Sequence, residues 1–346
     1  MKTSSYVAAS FVAMVVSGMP LPSQAQSAPQ YRVTQTVALG GPDRWDYVFY
    51  DQDSGHVFVA HGDEVAVVDG TSGAIVGRVK GLPGMTHGIA VVKDSNRGYT
   101  DEGETGKAVS FNLKTFAVEK RTQAAEDADA VTFDPVSKHV FVINGDGGTI
   151  TVIDPKADAA LATITVGGKL EYAVPGENGK LFVNGAGKRE MVSIDTASNK
   201  VVARWPMPEC ESPHGLALDA DSHRLFVSCL NQRLTVLDSQ GGQIIATVPI
   251  GKGSDAVAFD PKRKLVFSSN GKDGTLSVIQ QKDAKTYVPL TSIKTSISAR
   301  TMSINPATGR IYLASAEVAP NAAPGKNGRI PTLPGSLKLL FLDPAQ

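Results

Sequence analysis

The 346-residue sequence has only two cysteines, few aromatic residues (6%) and no excess of either charge. Its 34 basic and 34 acidic residues cancel, so no net field would concentrate nucleic acid, and we expect no nucleic-acid partner. The sequence also lacks a Cys-x-x-Cys pair, a haem-attachment motif, a nucleophile elbow, a P-loop and a zinc-protease helix. A hydrophobic content of 42% nevertheless excludes disorder, collagen and a coiled coil.

No apolar run is long enough to span a bilayer. The uncharged stretch from Tyr6 to Val16 is too short, and the following Ser23-Gln24-Ala25 has small residues where a signal peptidase reads. This pattern predicts a signal peptide over residues 1–25, cleaved after Ala25. The remaining 26–346 is then a single exported domain, periplasmic or secreted, with no membrane span.

One strand-like segment with a polar last residue recurs about every 42 residues, a period in the range of propeller blades. Its seven copies are Val65–Asp69, Val109–Asn112, Ile150–Asp154, Val192–Asp195, Leu234–Asp238, Leu276–Gln280 and Leu339–Asp343. Two more strand segments generally precede each copy, often after an Asp-Pro turn such as Asp134-Pro135, and a fourth follows it. Four short strands per repeat predict an all-β, seven-bladed β-propeller with four-stranded blades.

The seventh copy stops at Asp343 and lacks its fourth strand. Residues Thr36 to Gly41 resemble the fourth-strand segment Thr163 to Gly168, so we expect an N-terminal strand to close the last blade. Residues 316–336, rich in proline and glycine, form an insertion between the second and third strands of blade seven. The insertion is either a lid over the central channel or a surface loop.

The blade pattern resembles a known repeat. Segments such as Gly215-Leu216-Ala217, Phe226-Val227-Ser228 and Ile150-Thr151-Val152-Ile153-Asp154 are similar to the YVTN repeat of YncE-like seven-bladed propellers. The resemblance covers the whole of residues 26–346 and implies the propeller fold. Related propellers serve as binding modules, as surface proteins, and as enzymes such as lactonases and lyases.

An ionisable residue opens the first strand of every blade. The seven residues are Asp46, His87, Asp129, Glu171, His214, Asp255 and Arg300. Because equivalent positions of a propeller surround its axis, we expect them to form one ring at a mouth of the channel. With histidine neutral, four carboxylates and one guanidinium make this mouth acidic.

The ring has two interpretations. It is either a polar channel lining, in which Arg300 pairs with Asp255 and Asp46, or a metal or ligand site. For a metal, the predicted ligands are Asp46, His87, Asp129, Glu171, His214 and Asp255. Imidazole with carboxylate suits zinc, manganese or iron, whereas carboxylates alone would suit calcium, and no organic cofactor is indicated.

Other polar residues are expected at the same mouth. The turn after the second strand contributes His61, Asn144, Asn184, Asn231 and Asn270, which join Trp45, Asp46 and Arg300 in the predicted ligand-binding set. Trp45, directly before the ring, is either an aromatic platform for a ring-shaped ligand or a wedge between blades.

The two cysteines are predicted to form a disulfide. Cys210 precedes the first strand of blade five and Cys229 ends its second strand, so the fold places both thiols on the face of the ring. The bond would pin the loop that presents His214.

Two function classes fit the sequence. The first is a monomeric binding module that holds a small molecule or a protein at the channel mouth. The alternative is a metal-dependent lactonase- or lyase-like enzyme, with candidate catalytic residues His87, His214, Glu171 and Arg300. In that alternative a carboxylate or histidine is the general base, the metal polarises a carbonyl, and Arg300 clamps a substrate carboxylate.

Overall fold

The computed structural model describes residues 1, 30–41, 44–320 and 331–345. The predicted signal peptide and residues 321–330 of the insertion lie outside these ranges, apart from Met1. Seven antiparallel sheets make up the described chain, and the predicted seven-bladed propeller is confirmed. Each sheet is a meander of consecutive strands, except that two short strands of the sixth pair with the same neighbour and the seventh takes its outermost strand from the N-terminal segment. Helical structure within these ranges is limited to the short 3-10 turns Lys93–Ser95, Gly103–Thr105, Glu177–Gly179 and Ala186–Lys188.

The strands are numbered along the chain, and each blade runs from its innermost to its outermost strand. The N-terminal strand is β1 (Tyr31–Ala38); blade one has β2 (Val48–Tyr50), β3 (His56–His61), β4 (Glu64–Asp69) and β5 (Ile75–Val79), and blade two has β6 (Ile89–Val92), β7 (Arg97–Glu102), β8 (Lys107–Asn112) and β9 (Val118–Gln123). Blade three has β10 (Ala128–Asp134), β11 (His139–Asn144), β12 (Thr149–Asp154) and β13 (Ala159–Thr165), blade four has β14 (Ala173–Pro175), β15 (Lys180–Gly185), β16 (Glu190–Asp195) and β17 (Lys200–Pro206), and blade five has β18 (Pro213–Asp219), β19 (Arg224–Cys229), β20 (Arg233–Asp238) and β21 (Ile244–Pro249). Blade six has β22 (Ser254–Asp260), β23 (Leu265–Asn270), β24 (Thr275–Gln281), β25 (Tyr287–Pro289) and β26 (Ile293–Lys294), and blade seven has β27 (Thr301–Ile304), β28 (Ile311–Ser315) and β29 (Lys338–Pro344).

An aromatic residue lies buried in the second strand of every blade. These residues are Phe58, Tyr99, Phe141, Phe182, Phe226, Phe267 and Tyr312, none of them more than 3% exposed. The rings pack between neighbouring sheets, as where Phe226 meets Phe259 of blade six at a centroid distance of 5.2 Å. Burial of these large apolar side chains between blades holds the sheets around the axis.

The N-terminal strand closes the ring, as predicted. Strand β1 pairs antiparallel with β29 from Tyr31 opposite Pro344 to Ala38 opposite Lys338, and so becomes the outermost strand of blade seven. Arg310, directly before β28, binds Asp343 of β29, donating from Nε to Oδ1 at 2.7 Å and from Nη2 to Oδ2 at 2.9 Å. Thr34 of β1 donates to the same carboxylate.

Replacing Asp343 with asparagine should lower the free energy of unfolding by about 1 to 2 kcal/mol at neutral pH. Arg310 and Thr34 hold the pKa of the Asp343 carboxyl below its usual range, so its contribution is present above the unfolded-state pKa. That contribution disappears as the pH falls through the folded-state pKa. Urea unfolding across pH should therefore show a gap between wild type and D343N that closes in acid. Asp221→Asn, in the exposed turn between β18 and β19, is the control, and a gap that does not depend on pH would contradict the prediction.

The insertion extends blade seven as a two-stranded ladder. Val318 and Thr332 form an antiparallel bridge, and the Leu333 amide donates to the Glu317 carbonyl at 2.7 Å. Its ends thus continue β28 and β29, which is the predicted position between the second and third strands. Whether it acts as a lid stays a prediction.

Candidate functional site

The predicted ring residues lie where the inner strands begin, and a β-bulge aims several of them. In blade three, Ala128 pairs with Asn144 and Ala130 with Ile143, which leaves Asp129 between them without a pairing partner across the strands. Blade six has the same irregularity around Asp255. A bulge turns the extra side chain out of the regular alternation, so these carboxylates can face the axis.

Three ring residues from consecutive blades come together. Asp46, His87 and Asp129 each offer one ligand atom, and the three atoms lie within 4.8 Å of one another. We call these residues the first triad. Two carboxylates and an imidazole at this spacing have the composition and proximity of a divalent-cation site.

Asp101 of β7 fixes the imidazole of the first triad. Its fully buried carboxylate accepts from the backbone amides of His87 and Gly88 at 3.0 and 2.6 Å. Its Oδ1 also lies 2.9 Å from His87 Nδ1. Because Nδ1 is engaged, Nε2 is the nitrogen left for a metal. A carboxylate behind a metal-binding histidine orients the ring and raises its basicity.

Charge and burial oppose each other in the first triad. Burial disfavours the imidazolium of His87, but the hydrogen bond and charge of Asp101, together with Asp46 and Asp129, raise its pKa to about 10. Burial raises the pKa of Asp129 well above its usual range, and the nearby Asp46 and Glu171 carboxylates add to this effect. A divalent cation at the first triad would therefore have to displace a proton from these residues.

The remaining ring residues already have partners within the protein. His214 Nδ1 lies 2.9 Å from the Ser212 carbonyl, and its Nε2 lies 3.7 Å from Glu171 Oε1. Lys169 Nζ approaches the same Glu171 oxygen at 3.5 Å. This half of the ring thus contains ion pairs of the kind expected for a polar lining.

Arg300 forms the anticipated ion pairs. Its guanidinium donates to Asp255 and to the Trp45 carbonyl, and its Nη1 lies 3.8 Å from Asp46 Oδ1. The guanidinium also lies over the Trp45 ring, 5.4 Å from its centroid. Arg300 therefore neutralises the side of the ring between blades six and one.

Two tyrosines outside the predicted ring meet across the channel. Tyr47 of blade one and Tyr172 of blade four contact each other with ring centroids 4.5 Å apart. These blades are not neighbours, so the contact lies across the axis. Burial raises the pKa of both phenols, and for Tyr47 the charge of Asp129 adds to this effect. The pair forms an aromatic layer beside the ring.

Comparison with known proteins gives the same fold and a partial sequence relationship. The chain is 32% identical over 168 residues to the uncharacterized protein YncE of Salmonella typhimurium and 31% identical to that of Salmonella typhi. The chain is a seven-bladed β-propeller that is similar in sequence to YncE over this segment. Each match covers 46% of this chain and 44% of the relative, so the chain spans less than half the length of these curated relatives.

Two further comparisons are more distant. A 6-phosphogluconolactonase of Xenorhabdus nematophila is 25% identical over 165 residues, which is 41% of this chain and 50% of that protein. The hydrazine synthase structure of Kuenenia stuttgartiensis superimposes with a TM-score of 0.68 at 15% identity, over 86% of this chain and 96% of that chain, a likeness of fold alone. No family model matches the sequence. Within the described ranges, no helix has the length and apolar character needed to cross a membrane.

The other predicted ligand-binding residues are mostly hydrogen-bonded within the blades. Asn144 and Asn270 donate to hydroxyls of the adjacent third strand, and Asn231 bridges backbone atoms of Glu209 and Glu211. His61 is buried, with its Nδ1 3.3 Å from a carboxylate oxygen of Glu64. A ligand-binding role for these four residues stays a prediction.

Asn184 and Trp45 are placed differently. Asn184 is fully buried, and its Nδ2 donates to the His214 carbonyl, so it contacts the ring directly. Its Oδ1 has no hydrogen-bond partner. Trp45 is only 5% exposed and packs with Val48 and Leu339 in the core between blades seven and one. This placement matches the wedge interpretation of Trp45.

The predicted disulfide is present. Cys210 and Cys229 are bonded and buried, which ties the loop before β18 to the end of β19. That loop carries Ser212, whose carbonyl lies against the His214 ring. The disulfide therefore supports the segment that presents His214, as the sequence predicts.

Proposed function

We propose that this YncE-like propeller binds a divalent cation at the first triad and, through the cation, a small ligand or a protein partner at the channel mouth. The observation that carries the proposal is the convergence of Asp46, His87 and Asp129 from three separate blades. The buried Asp101 supports it, because a carboxylate on Nδ1 is the arrangement that prepares a histidine to bind metal through Nε2.

The donor atoms favour some cations over others. One imidazole with two carboxylates suits zinc, manganese or iron better than calcium, which prefers an all-oxygen shell. Three protein ligands also leave coordination positions open. Such a cation can bind an oxygen atom of a ligand, or polarise it.

The cellular location is part of the proposal. A buried disulfide is stable in oxidising compartments and rare in the cytosol. We therefore propose that the protein acts in the periplasm or outside the cell, in agreement with the signal peptide predicted for residues 1–25.

The metal content of untagged wild-type protein tests the proposal. We expect about one zinc, manganese or iron ion per chain by elemental mass spectrometry, lost on chelation and recovered on adding the ion back. Metal that binds the folded state should also raise the melting temperature of the stripped protein. Protein that carries no stoichiometric metal and shows no thermal shift with any of these ions would contradict the proposal.

A second function is favoured by one specific observation, the partial match to a protein named 6-phosphogluconolactonase. In a metal-dependent lactonase the cation would polarise the lactone carbonyl, and His214 or Glu171 would activate water as the general base. Arg300 could clamp a substrate carboxylate only by exchanging its contact with Asp255. Hydrolysis of a lactone panel that is lost on His214→Gln would support the enzyme, whereas no hydrolysis by metal-loaded wild type would favour the binding module.

A further inference from the structure

The residues of the ring and those that follow them repeat after three blades. Blades one to three carry Asp46-Tyr47, His87-Gly88 and Asp129-Ala130, and blades four to six carry Glu171-Tyr172, His214-Gly215 and Asp255-Ala256. Each half thus reads acidic-Tyr, His-Gly, Asp-Ala. Blade seven, with Arg300-Thr301, stands outside this pattern. Glu171, His214 and Asp255 are therefore the counterparts of the first triad, and we call them the second triad.

The structure preserves the equivalence of the two halves in the backbone that follows each histidine. A Cβ on Gly88 would lie 2.1 Å from the Val131 amide nitrogen, and a Cβ on Gly215 would lie 2.6 Å from that of Val257. Each glycine thus allows its inner strand to pack directly against the backbone of the next blade. The two histidines that precede these glycines are carried on equivalent backbones.

Both histidines are also anchored through Nδ1. His87 uses the Asp101 carboxylate, and His214 uses the Ser212 carbonyl. At the position of Asp101, blade five has Ser228, whose Oγ accepts from the Gly215 amide at 3.0 Å, as Asp101 accepts from Gly88. Each imidazole therefore keeps its Nε2 for the channel mouth.

The halves differ in the cations that the protein itself supplies. Arg300 donates to Asp255 of the second triad and only approaches Asp46 of the first, at 3.8 Å. Asp129, the counterpart of Asp255, has no cation among its described ion pairs. Lys169 also approaches Glu171, but this lysine side chain is 50% exposed and so is weakly held. The guanidinium is thus the main obstacle to a cation at the second triad.

An unused acceptor lies beside the second triad. Asn184 Oδ1 is buried without a hydrogen-bond partner, while its Nδ2 donates to the carbonyl of His214. The Asn184 backbone amide and carbonyl pair with Tyr172 and Glu171. A buried acceptor left unpaired is costly, and a metal-bound water could donate to it.

We propose that Glu171, His214 and Asp255 form a second divalent-cation site, which the Arg300 guanidinium blocks by holding Asp255. Arg300 is thus the residue that restricts the mouth to one metal ion. The inference rests on the proposed function, because the first triad is the template for the second. Removing the guanidinium should free Asp255 and let the second triad bind zinc or manganese.

The stoichiometry of metal binding in Arg300→Met tests this inference. With zinc or manganese alone as the probe, calorimetry and elemental analysis should give about one ion per chain for wild type and about two for R300M. Adding His214→Gln to R300M should return the value to about one. Arg310→Met is the matched control, because Arg310 also pairs with an aspartate in blade seven but at its outer edge, and it should stay at one.

Each outcome separates the inference from the proposed function. One ion in both wild type and R300M would overturn the inference and leave the first triad intact as a site. No ion in wild type would contradict the proposed function. In that case, metal gained by R300M and lost again with H214Q would support the second triad alone, and no ion in either protein would overturn both. If R300M does not fold, as judged by circular dichroism, Arg300→Gln keeps a donor for the Trp45 carbonyl and answers the same question.

Discussion

Replacing His87 with glutamine should abolish stoichiometric metal binding while the propeller remains folded. His87 is the single nitrogen donor of the first triad, and its loss leaves two carboxylates that are a poor site for zinc or iron. The fall in affinity should exceed the roughly 10- to 100-fold that loss of an outer partner costs. Titration calorimetry of zinc and of manganese into metal-free protein measures this affinity. His139→Gln, on β11 away from the ring, is the control, and unchanged affinity in H87Q would refute the first triad as the metal site.

Replacing Asp101 with asparagine should have a graded effect. The amide keeps the size of the carboxylate but loses the charge that orients His87 and raises its basicity, so metal affinity should fall about 10- to 100-fold. Asp219→Asn is the matched control. Asp219 is also a buried aspartate, at the end of the innermost strand β18, but its carboxylate accepts hydrogen bonds from Ser222 and Gln281. D219N should reduce stability and leave metal affinity unchanged. Equal affinity in D101N and wild type would show that Asp101 has only a structural role.

The ring could be predicted because the blade repeat is strong. Once the repeat fixes the register, residues as distant as Asp46 and Arg300 fall at one position, and symmetry brings them together. The same reasoning predicted that β1 closes blade seven, since a propeller with an open edge would expose unpaired backbone groups. Architecture and ring position therefore follow from periodicity alone.

The role of Asp101 could not be predicted from the blade repeat, because the sequence of its strand lacks the apolar pattern of a buried β-strand. Strand β7 reads Arg-Gly-Tyr-Thr-Asp-Glu, whereas the equivalent strands are largely apolar. Its buried polar groups are satisfied by distant partners, as where Thr100 donates to the Gly88 carbonyl at 2.8 Å. Hydrogen bonds of this kind cannot be predicted from the pattern of apolar residues. The available signal is a carboxylate at a position where the other blades have alanine, isoleucine, asparagine or serine.

The tyrosine layer was missed for a different reason. Alternation along a strand places the residue after each ring position on the other face, so Tyr47 and Tyr172 did not enter the predicted ring. In the structure the two side chains nevertheless meet across the axis. The signal was present in the sequence, because five blades have Gly, Ala or Thr at this position and two have Tyr.

Removing the disulfide with the double substitution Cys210→Ala and Cys229→Ala should lower the free energy of unfolding by about 3 kcal/mol, as expected for a closed loop of this size. The cysteines are 19 residues apart, and the effect arises mainly because the unfolded chain gains freedom. The folded loop keeps other contacts, since the Leu230 amide donates to the Glu211 carbonyl at 2.8 Å.

These remaining contacts distinguish the effect on stability from the effect on the site. Urea unfolding should show a lower midpoint for the double variant, and dithiothreitol should lower the wild-type midpoint without affecting the variant. Metal affinity should stay at the wild-type value, because the first triad belongs to blades one to three and the disulfide to blade five. An unchanged midpoint would mean that the unfolded chain gains little freedom when the bond is lost. Loss of metal binding would instead show that blade five holds the first triad in place, which its contacts do not predict.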